Sequence, residues 1–449
     1  MDHALIEKYA APVPRYTSYP TAPHFSDEVN NAVYAEWLNG FRVGDQLSLY
    51  IHIPFCDRLC WFCGCNTKQT LKYAPVQAYL KRLYKEIEMV AAKLPHRLRV
   101  VSLHLGGGSP TLLQADDFAR LKDVLRTHFD FADDAEISIE IDPSDVTSEQ
   151  IKGMVDFGLT RASIGVQDFS DVVQKAINRP QSFEITRDVV EALRAQGIKS
   201  INLDVLYGLP HQTTERLMDT VAKTAFLQPD RIALFGYAHV PWMKTHQKMI
   251  DEAALPGTDE RFEHAMLAAD ALVDAGYERV GFDHFALPQD KMAVAARNGT
   301  LRRNFQGYTV DPADAMIGFG GSAIGQNRDG YIQNVVPTGQ YQAMIDKGEL
   351  AVGKGYALTE EDRMRGHVIE QLMCQFSFDK IELVARYGDA AKAILREANL
   401  IAAQHQDGFI ENDEHRFAVV GHGKPFVRAI AAKFDAYFGR GTARHSKAV

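Results

Sequence analysis

The chain has 449 residues, 46% hydrophobic and 24% charged, the composition of a globular protein long enough for two or three domains. Its 58 acidic and 49 basic residues leave a formal charge of -9, which argues against a nucleic-acid surface; an anionic ligand must be met by locally placed Arg or Lys. No run approaches the roughly 18 apolar residues of a membrane-spanning helix, and MDHALIEKYAAPVPR lacks the regions of a secretory signal, so a cytoplasmic protein without membrane insertion is expected.

Residues 1–44 read as an N-terminal arm. PVPRYTSYPTAPHF is dense in Pro, which fixes φ and disfavours helix at the residue before it, and its aromatics and Arg15 suggest a segment laid against another part of the chain. From residue 45 to 280 short β-rich runs alternate with helical patterns. The runs are LSLYIHI (47–53), RVVSLHL (99–105), EISIEI (136–141), RASIGV (161–166), SINLDVLY (200–207) and RIALFGY (231–237). After the first run, Val76, Tyr79, Leu80, Leu83, Ile87, Val90, Ala91 and Leu94 keep the i, i+3, i+4 spacing of one buried helical face. Similar patterns fall near 115–127, 148–157, 183–196, 214–226 and 259–275. Six β/α units in sequence imply an α/β fold with a parallel sheet, closing as a doubly wound sheet or as a full or partial (β/α) barrel. Residues 281–358 are expected to be a loop-rich connection that closes the site, with NFQGYT (304–309) and GFGGSAIG (318–325) as glycine-rich loops. Residues 359–449 read as mainly helical. Thr359 can cap the first helix and acidic residues fill its first turn, while the basic tail RGTARHSKAV is expected to be disordered.

HIPFCDRLCWFCGCN (52–66) packs Cys56, Cys60, Cys63 and Cys65, four of the five cysteines, into ten positions. Disulfide frameworks belong to small secreted chains, which this is not. Structural zinc usually takes two cysteine pairs a dozen or more residues apart; the only distant cysteine is Cys374, on an apolar helical face where a buried thiol is expected. Thiolates crowded on one loop suit an iron–sulfur cluster better, with zinc as the alternative.

The C-x3-C-x2-C spacing just after the first strand resembles the signature of the radical S-adenosylmethionine (SAM) superfamily. The resemblance implies a partial (β/α)6 TIM-like barrel in which Cys56, Cys60 and Cys63 hold three irons of a [4Fe–4S] cluster. The amino and carboxylate groups of SAM would chelate the fourth iron, and Cys65 would stand near without ligating. In such a barrel the chemistry sits at the C-terminal strand ends. Here those ends carry Gly106-Gly107-Gly108-Ser109-Pro110-Thr111, Glu140, Gln167, Asp204 and Tyr237-Ala238-His239. Any one of these could be an ordinary strand-to-helix turn, where Gly, Asp and Gln are common; together with the cysteine loop they mark one rim. GFGGSAIG lacks the spacing of a dinucleotide fingerprint, and His239 and His284 read as turn or core residues.

A closer resemblance rests on RYTSYPTA (15–22), YIHIPFC and CWFCGCN (50–66), LHLGGGSPT (103–111), ISIEID (137–142), GVQDF (165–169), NRPQ (178–181), NLDVLYGLP (202–210), YAHVP (237–241) and NFQGYT (304–309). These resemble the oxygen-independent coproporphyrinogen III oxidase (dehydrogenase) family of haem synthesis over most of the chain, with Ser109 replacing a common Thr. The resemblance implies two SAM molecules. Tyr50, Gly107, Glu140 and Ile324 would contact the one on the cluster, and Phe62, Gly108, Ser109, Gln167, Arg179, Asp204 and Ala238 would line the second. Tyr50, Glu140, Phe305 and Gln306 match positions treated as functional. It further implies that one electron from a low-potential donor splits SAM into methionine and a 5′-deoxyadenosyl radical. That radical takes a propionate β-hydrogen, the propionate leaves as CO2, and two such events give protoporphyrinogen IX. The tetra-anionic substrate needs local cations, for which Arg15, Arg302 and Arg303 are candidates; a monomer is expected. A haem-trafficking relative without decarboxylase activity is the competing reading. It typically lacks the RYTSYPT arm and carries Phe where Cys65 stands. A structural zinc module on a β/α scaffold is a third.

Overall fold

Apolar residues at every second position of the early runs require a sheet with one covered face, and the computed structural model, which describes residues 3–439, shows that sheet. Its strands are β1 (Gln46–Ile53), β2 (Arg99–Gly107), β3 (Asp130–Ile141), β4 (Arg161–Gln167), β5 (Ser200–Tyr207), β6 (Arg231–Gly236), β7 (Glu278–Val280), β8 (His284–Ala286), β9 (Ala315–Phe319), β10 (Ile324–Gln326), β11 (Gly330–Asn334) and β12 (Val352–Ala357). Their order across the sheet is β12-β11-β10-β9-β1-β2-β3-β4-β5-β6-β8-β7, so the sheet is open, with different strands at its two edges. Seven neighbours, β9 and β1 to β6, are parallel, and the flanking pairs are antiparallel. The helices α1 (Ala74–Ala91), α2 (Ala115–His128), α3 (Ser148–Phe157), α4 (Phe183–Ala195), α5 (Thr214–Phe226) and α6 (Thr258–Asp274) follow β1 to β6 in turn. No described helix is long and apolar enough to cross a membrane.

Two faces of one strand do different work. In β1, Leu47, Leu49, Ile51 and Ile53 are at most 1% exposed and join the main core with Val76, Tyr79, Leu80, Leu83 and Ile87 of α1. Burying such side chains is worth about 1.5–3 kcal/mol each, so a slip of one residue, which would turn Tyr50 and His52 towards the helices, is strongly disfavoured. Leu103 and Leu105, Ile137 and Ile139, Ile164, and Ile201 and Leu203 repeat this on the next strands. The intervening positions carry polar groups that touch across the ladder, His104 with Ser138 and Asn202 with Ser163 at 2.9 Å, and along it, Asn202 with Asp204 at 2.8 Å. A parallel sheet covered on both faces is usually apolar throughout; here the second face lines a site.

Residues 281–358 correct the loop-rich expectation. They hold β8 to β12, a hairpin (Arg302–Asn304 with Gly307–Thr309) and two helices. β9 slots in beside β1 as a seventh parallel strand, pairing Tyr50 with Gly318, so GFGGSAIG is a strand end and the tight turn into β10. A Cβ on Gly318 would meet the Ile324 carbonyl at 2.8 Å, which explains a glycine within this strand. Farther on, α7 (Glu360–Gln375) begins as expected, with the Thr359 side chain accepting from Asp362 N. The C-terminal part also contains a small sheet of Ser377–Asp379, Ile410–Asn412 and Arg416–Val419. The arm packs into this part: Ile6, Tyr9, Val13, Tyr16 and Tyr19 share a core with Phe262, Val368, Phe417 and Phe434. The tail from residue 440 onward lies outside the described residues.

Candidate active site

β1 delivers the chain at Ile53 into the cysteine loop, and the loop is held from three sides. Phe55–Cys56 pairs with Lys68–Gln69. On one flank Ile177 O accepts from Trp61 N, Asn178 donates to Leu59 O, and Arg179 reaches the Cys60 sulfur at 3.5 Å. On the other, Lys244 donates to Cys65 O (3.0 Å) and Asn66 Oδ1 (2.8 Å), His246 meets Cys63 O, and Gln247 donates to Phe62 O. From beneath, Gly108 N and Ser109 N donate to Ile53 O and Phe55 O.

Cys56, Cys60 and Cys63 are half-buried and free, and Cys65 is exposed. Burial pushes the Cys56 thiol up to about 12 and raises Cys60 against the pull of Arg179. Cys63 is lowered instead, because the Cys65 side chain and N–H both point at its sulfur. Among the described residues no three His, Cys, Asp or Glu side chains gather round a single ion. An all-sulfur donor set spread along one loop fits a cluster whose ligands bind separate irons. Cys56, Cys60 and Cys63 would hold it. Cys374 is buried, as expected.

The glycine run and Glu140 meet at the loop's foot. Gly107 has φ +106°, and a Cβ there would stand 2.3 Å from the His52 ring; one on Gly106 would stand 2.7 Å from Glu140 Oε1. The positive φ and the ring contact restrict position 107 to glycine, whereas a Cβ at 106 would displace the Glu140 carboxylate. Glu140 accepts from Gly107 N at 3.0 Å and contacts His104 Nε2 at 3.2 Å. Burial raises its pKa, but the His104 and Gly107 hydrogen bonds outweigh that and leave it below the usual carboxylate range. Its side chain is still 41% exposed, facing open space, so it is a carboxylate available to an ammonium group. Tyr50 Oη lies 2.9 Å from His52 Nδ1, and His52 Nε2 lies 2.8 Å from Asn66 O. Desolvation lowers the His52 pKa and keeps the ring neutral, so Nε2–H donates to Asn66 O and Nδ1 accepts from Tyr50. Ile324 is joined to this end through Gly318, the register partner of Tyr50.

The expected second-SAM residues lie farther along the rim. Asp204 is pushed up to about 6 by burial, against the Asn202 hydrogen bond, with Glu140 adding to the rise. Gln167 takes φ +66°, and its amide lies 2.9 Å from where a Gly165 Cβ would be. Ala238 O accepts from Gln247, Phe62 packs beside the cluster of Leu206, Leu209 and Tyr237, and Ser109 Oγ turns to Thr111. Arg179 is largely committed: it donates to Asp142 Oδ2 (2.8 Å), Gly165 O (2.9 Å), Gln181 Oε1 (3.1 Å) and Cys60, so a ligand would find few free N–H groups. Phe305 and Gln306 sit at the hairpin turn, Phe305 edge-on to Tyr331 and Gln306 over Met316, on the face that Ser48 and Tyr50 share. His52, His104 and the Lys244–Gln247 clamp were missed, although Tyr50 and His52 alternate with apolar neighbours in YIHI and so had to share a face. A cavity of about 620 Å³ lined by Tyr16, Ser48, Arg302, Arg303, Asp314 and Glu370 includes none of the expected SAM contacts.

Free thiols on a clamped loop, at the carboxyl-end mouth of a parallel β/α sheet, define a radical SAM enzyme. In agreement, residues 50–223 match the radical SAM superfamily and residues 358–426 match the HemN C-terminal domain. The chain is 46% identical to an oxygen-independent coproporphyrinogen III oxidase from Bradyrhizobium diazoefficiens over 97% of each chain. It is 40% identical to the one from Pseudomonas aeruginosa, over 97% of this chain and 96% of that one. The solved coproporphyrinogen III oxidase of Escherichia coli, described as a radical SAM enzyme, superposes with a TM-score of 0.91 at 37% identity, covering 97% of this chain and 99% of that chain. The chain belongs to the oxygen-independent coproporphyrinogen III oxidase family.

Proposed function

We propose that the protein converts two propionates of coproporphyrinogen III to vinyl groups without oxygen, giving protoporphyrinogen IX. Each propionate loses one β-hydrogen atom, carbon dioxide and one electron, the electron passing to an acceptor distinct from the donor. The hydrogen is unactivated, so no side-chain base removes it as a proton; the cluster and SAM supply, when bound, a radical that takes it as an atom. The chain's own residues bind, orient and exclude water. Glu140, ionised and open on one side, receives the ammonium of the cluster-bound SAM, and the Gly107 turn brings backbone close to its amino-acid part. Tyr50, fixed by neutral His52, and Ile324 border the same molecule. Asp204 and Gln167, with Phe62, Gly108, Ser109, Arg179 and Ala238, line a second SAM, for which Asp204 offers an acceptor to ribose hydroxyls. Phe305 and Gln306 cover the face from the hairpin. We assign the arm to residues 1–44, the core to 45–280, the connection to 281–358 and the C-terminal domain to 359–449. The enzyme acts as a cytoplasmic monomer, with a low-potential donor supplying electrons.

The observation that carries this reading is the ionised Glu140 at the foot of a loop of free thiols, in a chain 46% identical to a named oxidase. Anaerobically reconstituted protein with reductant, SAM and coproporphyrinogen III should form 5′-deoxyadenosine and vinyl product together. Deoxyadenosine without any vinyl product would refute the substrate. Equilibrium dialysis should find two SAM bound per chain and one in Asp204→Asn.

A further inference from the structure

Four arginines from distant parts of the chain gather at the C-terminal ends of β5 and β6. Arg15 of the arm donates from Nη2 to Gly236 O at 3.3 Å. Arg261 of α6 donates to Tyr237 O at 2.9 Å and lies over the Tyr207 ring. A Cβ on Gly208 would meet its Nη1 at 2.6 Å, so a glycine leaves it room. Arg303 of the hairpin donates to Arg15 O at 3.3 Å, its guanidinium 4.5 Å from the Tyr308 ring centre. Arg428 is buried and donates to Val13 O at 2.7 Å and Pro14 O at 3.3 Å, fixing the two residues before Arg15. One carboxylate, Asp283, faces Arg15, Arg303 and Arg428, and it also hydrogen-bonds His284 at 2.6 Å.

This corner holds more positive charge than the protein neutralises. Arg303 Nε and Nη1 and Arg261 Nε are buried and donate to no protein atom. A buried donor without a partner is unfavourable by about 1–3 kcal/mol, and like charges out of bulk water repel. Desolvation first, and then the neighbouring arginines, hold Arg15, Arg261 and Arg428 below the usual guanidinium value, Arg428 down to about 10. Arg15 remains exposed although protein surrounds it on most sides, which describes a side chain in a wet recess. Gly236 and Tyr237, whose carbonyls hold Arg15 and Arg261, directly precede Ala238 of the expected second-SAM wall, so the recess borders the reaction rim. Arg302, the other candidate cation, turns away to Ala313 O.

We propose that Arg15, Arg261 and Arg303 form the corner that receives substrate carboxylates, with Arg428 holding the arm so that Arg15 stays in place. The proposal rests on the polycarboxylate reading above. It gives an acidic chain a local cationic contact for a tetra-anion, and it ties the arm to substrate binding.

The test uses the full-length reconstituted protein, with coproporphyrin III, the air-stable tetracarboxylate, as a fluorescent probe. Arg15→Gln and Arg303→Gln should each weaken its binding about ten- to a hundredfold, Arg15→Lys should recover part of the loss, and the tetramethyl ester should bind wild type and variants alike. Iron content per chain confirms that each variant folds; Arg15, being exposed, is the safer substitution. Coproporphyrin III bound by both Gln variants as tightly as by wild type would overturn the corner. Turnover of coproporphyrinogen III separates the two readings. Wild type that forms vinyl product, with KM unchanged in the variants, removes the corner alone, whereas wild type that forms none removes the substrate assignment.

Discussion

Replacing Gly108 by Ala tests whether the glycine run serves the cysteine loop itself or only a ligand. The added Cβ would stand 2.4 Å from Phe55 O and 2.7 Å from Ile53 O. Carbon–oxygen contacts need about 3.3 Å, so the strands must part by roughly 1 Å. Ile53 O accepts from Gly108 N at 2.8 Å and Phe55 O from Ser109 N at 2.7 Å, and both bonds would break. Two hydrogen bonds at about 0.5–1.5 kcal/mol each, plus about 1–3 kcal/mol of overpacking, give a loss of about 2–6 kcal/mol. Gly64→Ala is the control, since nothing lies within 4 Å of a Cβ there. Urea unfolding of the apoprotein and iron bound after reconstitution read the effect without SAM or substrate. Gly108→Ala should unfold at lower urea and hold less iron, and Gly64→Ala should match wild type. Indistinguishable curves and equal iron in the two variants would refute the reasoning.

Cys60→Ser should abolish bound iron and turnover while Cys65→Ser keeps its iron; a colourless Cys65→Ser protein would overturn the choice of ligands. Lys244→Met removes a charged donor from Cys65 O and Asn66, and iron loss to a chelator should speed up about ten- to a hundredfold. Glu86 is buried, accepts from Tyr341, Gly320 N and Asn334, and is pushed up to about 7 by desolvation. The unfolded chain gives up this proton near the ordinary carboxyl value of 4.5 and the folded chain near 7, so the folded state binds more protons in between. Stability therefore falls as pH rises through that window, by about 3 kcal/mol in all, and is flat in this respect above it. Glu86→Gln should lose less between pH 5 and pH 8 than wild type does in urea titrations; parallel pH profiles would exclude Glu86 as the cause.

The parallel strands were legible because alternation in runs such as LSLYIHI states both the strand and its covered face. The rim was legible for the same reason: each strand end carries a polar or glycine residue that a closed core would exclude. β9 was not. Five residues, Ala315–Phe319, followed by Gly320 and Gly321, look like a loop until their partner β1, far back in the chain, is known. The arginine corner was half visible, since Arg15 stands in the RYTSYPTA motif and Arg303 directly precedes NFQGYT. Arg261 and Arg428 are single cations on helices, and only convergence in space distinguishes them from solvated surface residues. The role of Arg179 also needed the structure: its motif NRPQ does not reveal that the guanidinium already bonds Asp142, Gly165 and Cys60.

The place of β9 bears on how the chain is made. β1 leaves the ribosome early, yet the strand that covers its outer edge follows roughly 260 residues later. At about 5–20 residues per second, that edge waits on the order of tens of seconds with its amides and carbonyls unpaired. A nascent chain that has built its whole β/α series therefore still presents a sticky flank, and holding it apart from other chains during synthesis is a task for chaperones.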